Sequence, residues 1–133
     1  MPEEIRVAIE RESDIVVARH KGRALAAAQG FSSCDQTLIA TAISEVARNI
    51  VTYSREGEIH LTTLNDRHRR GLLIVAQDQG PGIANIDSAM QDGYSTSGSL
   101  GLGLPGSKRL MDEFEIVSEL SKGTTIRMKK WKH

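Results

Sequence analysis

At 133 residues the chain has the length of one domain, and 17 Lys+Arg against 17 Asp+Glu leave a formal net charge of zero, which excludes a general nucleic-acid binder. Hydrophobic residues make up 39% of it, so it is not a disordered chain, and its one cysteine, Cys34, excludes an internal disulfide and fits the reducing cytoplasm. No apolar run approaches the ~20 residues of a membrane span, and Met1-Pro2-Glu3-Glu4 is no signal peptide.

In chain order the first expected element is a strand, because Ile5-Arg6-Val7-Ala8-Ile9 alternates apolar residues with others. Ser13-Asp14 then starts a helix with Ile15, Ala18, Gly22, Leu25 and Ala26 at helical spacing, closed by Gly30. Ser33-Cys34-Asp35-Gln36 reads as a capping box that opens a long second helix running to Tyr53. Residues 58–64 alternate, with Ile59, Leu61 and Thr63 on one side, as a strand would. Leu72-Leu73-Ile74-Val75-Ala76 is a continuous apolar run suited to a strand inside a sheet. The polar stretch 65–71 between these two reads as a hairpin loop whose charges are solvated. A helix over 104–113, with Pro105 in its first turn, precedes strands over 114–120 and 124–128 that turn at Ser121-Lys122-Gly123. The tail Lys129-Lys130-Trp131-Lys132-His133, basic with one aromatic, reads by default as a strand ending in solvated charge, the alternative being contact with an acidic partner.

No repeat, low-complexity tract or linker divides the chain, so residues 1–133 are expected to form one domain. Two adjacent hairpins make the sheet mixed and largely antiparallel, which excludes a βαβαβ nucleotide fold. An α+β two-layer sandwich, with helices on one face, is the expected architecture.

The long helix carries a polar pair on the wrong face. With Val46 at zero on a wheel of ~100° per residue, Leu38, Ile39, Ala42, Ile43, Ala47, Ile50 and Tyr53 fall between ~−80° and ~+100°. Thr41, Ser44 and Arg48 lie opposite, towards water. Asn49, at ~−60°, stands inside the apolar arc, and Glu45, at ~−100°, on its border. A carboxylate and an amide held there cost several kcal/mol unless satisfied. Either neighbouring backbone satisfies them, or Asn49 offers its amide oxygen to a hard cation such as Mg²⁺ with Glu45 facing the same cavity as a general base. Spacing does not choose.

Residues 80–106 hold seven of the 12 glycines. In Asp78-Gln79-Gly80-Pro81-Gly82-Ile83 a buried strand ends in an acid and a rigid turn. The acid is placed either to cap that turn or to accept from an exocyclic amine such as N6 of adenine, with Gly80 and Gly82 permitting close backbone approach. Gly98-Ser99-Leu100-Gly101-Leu102-Gly103-Leu104 runs into a helix, which suits a phosphate-binding concavity of backbone N–H groups or a flexible loop. It is not a Walker loop, because no Gly-Lys-Ser/Thr follows, nor a Rossmann fingerprint, because no strand precedes it. His20, His60, His68 and His133 lie far apart, so no histidine metal site is expected, and Cys34 reads as a small residue near a helix start.

Taken together, Glu45…Asn49 on a helix, Asp78-x-Gly-x-Gly, Gly98-x-x-Gly-x-Gly-Leu and Gly123-Thr124 resemble the ordered motifs of the GHKL (Bergerat-fold) ATP-binding family of gyrase, Hsp90, histidine kinases and MutL. The resemblance covers nearly the whole chain. It implies ATP and Mg²⁺ as cofactors, with Glu45 as base or orienting acid and Asn49 as the Mg²⁺ ligand. It further implies Asp78 at the adenine amine and Gly80, Gly82 and Ile83 around the base. Gly98, Gly101, Leu102, Gly103 and Leu104 would lie in or beside the ATP lid, and Thr124 would support the pocket from a neighbouring strand. A histidine kinase is disfavoured, because no dimerisation helix pair carries a phosphoacceptor histidine.

More narrowly, the stretches 41–50, 78–83, 93–98 and 103–114 are similar to those of the RsbT-type serine/threonine kinases of the bacterial stressosome, and the length matches. That similarity implies phosphorylation of STAS-domain proteins, then release to activate a partner phosphatase, without nucleic acid or membrane as partner. The alternatives are an anti-sigma-factor kinase that binds and holds a sigma factor, and a non-catalytic ATP-sensing partner-switching module.

Overall fold

A computed structural model describes residues 3–54, 56–80, 103–119 and 123–132. The chain begins with strand β1 (Glu4–Ile9) and continues into helix α1 (Glu12–Ala28). Asp14 opens this helix by accepting from the backbone N–H groups of Glu10 and Arg11 through Oδ2, at 2.9 and 3.1 Å. Its buried residues are Ile15, Ala18, Gly22, Leu25 and Ala26, the expected set. Gly30, at φ +88°, takes the left-handed turn that ends it.

Helix α2 (Ser33–Tyr53) starts one residue earlier than its apparent capping box, because Ser32 is the cap and accepts from the Asp35 N–H at 3.1 Å. Ser32→Ala is expected to cost about 1 kcal/mol, read as a lowered urea midpoint with unchanged slope. Strands β2 (Gly57–Asn65) and β3 (Arg70–Asp78) form the first hairpin. Helix α3 (Gly103–Leu110) leads into β4 (Glu113–Glu119) and β5 (Gly123–Trp131).

The sheet order is β1-β2-β3-β5-β4, and every pairing among the described strands is antiparallel. The α+β sandwich stands, with a sheet more uniformly antiparallel than expected. Register follows from burying one face. Val7, Ile59, Ala76, Ile126 and Ile116 form one inward row, and Ile5, Leu61, Ile74, Met128 and Phe114 the next. Arg6, His60, Val75, Arg127 and Glu115 alternate with them on the outer face. Helices α1 and α2 pack together over the inward rows, and α3 packs on α2.

Expectations about exposure are corrected at two places, the first of them helix α2. Ser44, placed towards water by the wheel, is buried and donates its hydroxyl to the Ala40 carbonyl at 2.9 Å. Helix α2 is flanked by α1, α3 and the sheet, so one apolar arc does not delimit its covered surface. Tyr53, in the apolar arc but at the last turn, is exposed.

The C-terminal tail is the second correction: it is structural. Strand β5 continues in register to Trp131, opposite Gly71, where a Cβ would meet the indole ring at 2.6 Å. Trp131 is buried, donating its backbone N–H to Asp112 at 2.7 Å and its indole N–H to Glu113 at 3.0 Å. Lys130 is buried too, and its ammonium donates to the Leu110 carbonyl at the end of α3 at 3.0 Å.

Candidate functional site

One row at the end of the sheet departs from the apolar pattern. Next to the Val7 row, Ile9, Gly57, Asp78, Thr124 and Ser118 are cross-strand partners on β1, β2, β3, β5 and β4. Asp78 and Thr124 are both buried there. The carboxylate is not left unsatisfied: its Oδ1 accepts from the Gly80 N–H at 2.9 Å and from the Thr124 N–H at 3.3 Å. Both bonds fall on one oxygen. A charged group so held costs far less than an isolated buried carboxylate.

Glycines set the approach of the backbones around it. Gly123 has φ +102°, and a Cβ there would overlap the Asp78 carbonyl oxygen. A Cβ at Gly80 would strike Ser54, the residue after α2, so the end of the helix rests on the turn that follows Asp78. A Cβ at Gly57 would meet Ile50 of α2 at 2.9 Å and Asp78 at 3.1 Å. The last turns of α2 therefore lie over the strand end that carries the acid.

Those turns bear the polar pair. Glu45 is buried at 9% exposure, and Asn49, one turn later, is half-buried. An oxygen of Glu45 lies 2.9 Å from a guanidinium nitrogen of Arg48, three residues on. Arg48, which the wheel sends to solvent, thus holds the charge of Glu45. Its side chain is 39% exposed and bends back along the helix, a reach that periodicity of Cα directions does not express. Among the described residues no group of three or more His, Cys, Asp or Glu is arranged to hold a metal ion. A site of one amide oxygen completed by phosphate oxygens and water is what Mg²⁺ accepts, so Asn49 fits that ion.

Thr124 supports Asp78 through its backbone N–H, and its hydroxyl pairs instead with the Ser118 hydroxyl at 2.8 Å. Ser118, which the sequence reading does not single out, also donates to the Gly123 carbonyl at 3.3 Å. Only the pairing of β4 with β5 brings it there. The fold gathers Glu45, Asn49, Asp78, Gly80 and Thr124 at one end of the sheet. Gly103 and Leu104 fall in the first turn of α3. Gly82, Ile83, Gly98, Gly101 and Leu102 lie outside the described residues.

An antiparallel sheet covered on one face by helices, with an acid at a central strand end beneath a Glu/Asn helix, defines an ATP-binding domain of the GHKL class. The histidine kinase-like ATPase domain model matches residues 9–130, and the chain belongs to that family. It is 54% identical over 125 residues to the serine/threonine-protein kinase RsbT of Bacillus subtilis, covering 94% of each chain. An anti-sigma F factor of Clostridium kluyveri is 33% identical over 108 residues, 74% of this chain and 76% of the relative. The fold matches that of the mycobacterial sensor histidine kinase MprB with TM-score 0.56 at 14% identity, over 98% of this chain and 97% of that one. Within the family the chain is a kinase of the RsbT serine/threonine type, and its nucleotide is ATP.

Proposed function

We propose that residues 1–133 act as one kinase domain that uses Mg·ATP to phosphorylate serine or threonine of STAS-domain stressosome proteins, and that its release then activates a partner phosphatase in the cytoplasm. The observation that carries this reading is the gathering of Glu45, Asn49, Asp78 and Thr124 at one sheet end in a chain 54% identical to a serine/threonine kinase. No helix among the described residues is long and apolar enough to cross a membrane.

Asp78 presents Oδ2 to the ligand while Oδ1 is held by two backbone N–H groups, so it accepts from the N6 amine of adenine. Guanine offers a carbonyl oxygen at the same place and is repelled. By likeness to the family, Gly80, Gly82 and Ile83 are assigned to the base and Gly98, Gly101, Leu102, Gly103 and Leu104 to the phosphates. Asn49 supplies the amide oxygen for Mg²⁺, which when bound neutralises phosphate charge during transfer. Glu45 takes or orients the hydroxyl proton of the acceptor, and Arg48 keeps its carboxylate aimed.

The test is incubation with labelled Mg·ATP and candidate STAS-domain proteins. Label is expected on Ser or Thr, lost with Asn49→Ala and reduced roughly 10²- to 10⁴-fold with Glu45→Gln. Absence of label with every candidate would refute the substrate assignment. Capture of a sigma factor instead would favour the second reading, which the anti-sigma F relatives support.

A further inference from the structure

The end of the sheet opposite the nucleotide site carries a concentration of positive charge that the proposed mechanism does not use. In the β2–β3 turn, Arg67, His68, Arg69 and Arg70 are consecutive and all exposed. The turn is closed: Asp66 donates its N–H to the Arg69 carbonyl at 2.9 Å, and Asp66 Oδ1 accepts from the Arg67 N–H. The Arg69 guanidinium lies 3.8 Å over the Trp131 ring, and the indole is itself fixed by Asp112 and Glu113. Lys132, also exposed, joins the same end by donating its backbone N–H to the Arg70 carbonyl at 2.7 Å. Of these arginines only Arg69 is ion-paired among the described residues, with Asp66 at 3.8 Å.

Strand β3 separates this end from Asp78 by about 26 Å, eight steps of ~3.3 Å, so these cations do not serve the phosphates of bound ATP. The chain as a whole is neutral, so it offers no net field to a nucleic acid, and the cluster at this turn acts on a partner at short range. Among the described residues the exposed large hydrophobic ones, Val16, Val17, Tyr53 and Val117, are not in this turn, so its charge comes without the apolar side chains that a lipid surface takes up. The Arg69 guanidinium, held over Trp131, and the exposed Arg67 and Arg70 beside it on a closed turn suit carboxylates.

We propose that the β2–β3 turn, with Arg67, Arg70 and Lys132 around the Arg69–Trp131 stack, is a docking surface for an acidic segment of a protein partner, remote from the catalytic end. In the kinase reading, on which the second assay below rests, that partner is the protein substrate, and docking there adds affinity for the protein without touching ATP.

The test compares the wild type with R67E/R70E, neither residue being part of the nucleotide machinery. A fluorescent ten-residue glutamate peptide is expected to bind the wild type with affinity that falls as salt rises, and at least tenfold more weakly to the variant. In steady-state transfer to a STAS-domain protein, the variant is expected to show a KM for the protein raised at least tenfold, with kcat and ATP affinity unchanged. Peptide binding needs no phosphoryl transfer, so it stands or falls apart from the kinase assignment. Equal peptide affinity in both proteins, no binding by the wild type, or tighter binding of a 20-nucleotide single-stranded DNA than of the peptide would each overturn the proposal.

Discussion

Asp78→Asn is expected to weaken ATP binding by about 2–3 kcal/mol, roughly 30- to 150-fold in Kd, while leaving the circular dichroism spectrum and the urea midpoint nearly unchanged. The replacement is isosteric, and the two backbone donors decide how the new amide sits. The Gly80 and Thr124 N–H groups, now 2.9 and 3.3 Å from Oδ1, demand an acceptor and so turn the amide oxygen towards themselves. The Nδ2 group is then left facing the ligand, donor against the donor of the adenine N6 amine. Inside the protein all bonds are kept; only the bond to the base is lost. The same reversal gives guanine's carbonyl oxygen a donor, so the preference for ATP over GTP is expected to shrink. Calorimetry with both nucleotides checks this. An ATP affinity unchanged in the variant would refute the assignment of Asp78 to the base.

Much of this arrangement is legible in the residues before any coordinates. The spacing of Ile15, Ala18, Gly22, Leu25 and Ala26 identifies the buried stripe of α1, because that helix meets its neighbours along one side. Alternation gives the inward rows of β1 and β2, because only one face of the sheet is covered by helices. The misplacement of Glu45 and Asn49 on α2 points to the candidate site for the same reason: a polar residue in an apolar stripe needs a partner.

What escapes is set by contacts between segments distant in sequence. Ser44 reads as solvated from its own helix and becomes buried where α1, α3 and the sheet surround α2. Lys130 and Trp131 look like a charged tail, yet one satisfies the end of α3 and the other seals the sheet over Gly71. Ser118 enters the site through strand pairing alone. Arg48 is missed because a long side chain can return to its own helix and pair with a carboxylate.

Gly123→Ala is the substitution expected to do most damage for one carbon atom, and Gly30→Ala is its control. Both glycines have positive φ, +102° and +88°, so each alanine pays a similar conformational cost of about 1 kcal/mol. Their neighbours differ. At Gly30 the added Cβ meets only the flexible end of Lys132, at 3.0 Å, which can swing away. At Gly123 it overlaps the Asp78 carbonyl oxygen and lies 2.9 Å from the carbonyl carbon and 3.1 Å from the Gln79 Cα, all backbone at the end of a central strand and just beyond it. Relief requires β5 to part from β3 at the pairing of Thr124 with Asp78, which breaks the Thr124 N–H bond to Oδ1. Gly123→Ala should therefore lose roughly 2–4 kcal/mol of stability together with ATP affinity, whereas Gly30→Ala should lose about 1 kcal/mol and bind ATP as the wild type does. Urea midpoints and calorimetric titration of the folded variants separate the two effects. A folded Gly123→Ala protein with undiminished ATP affinity would show that the orientation of Asp78 does not depend on the close approach of these two strands.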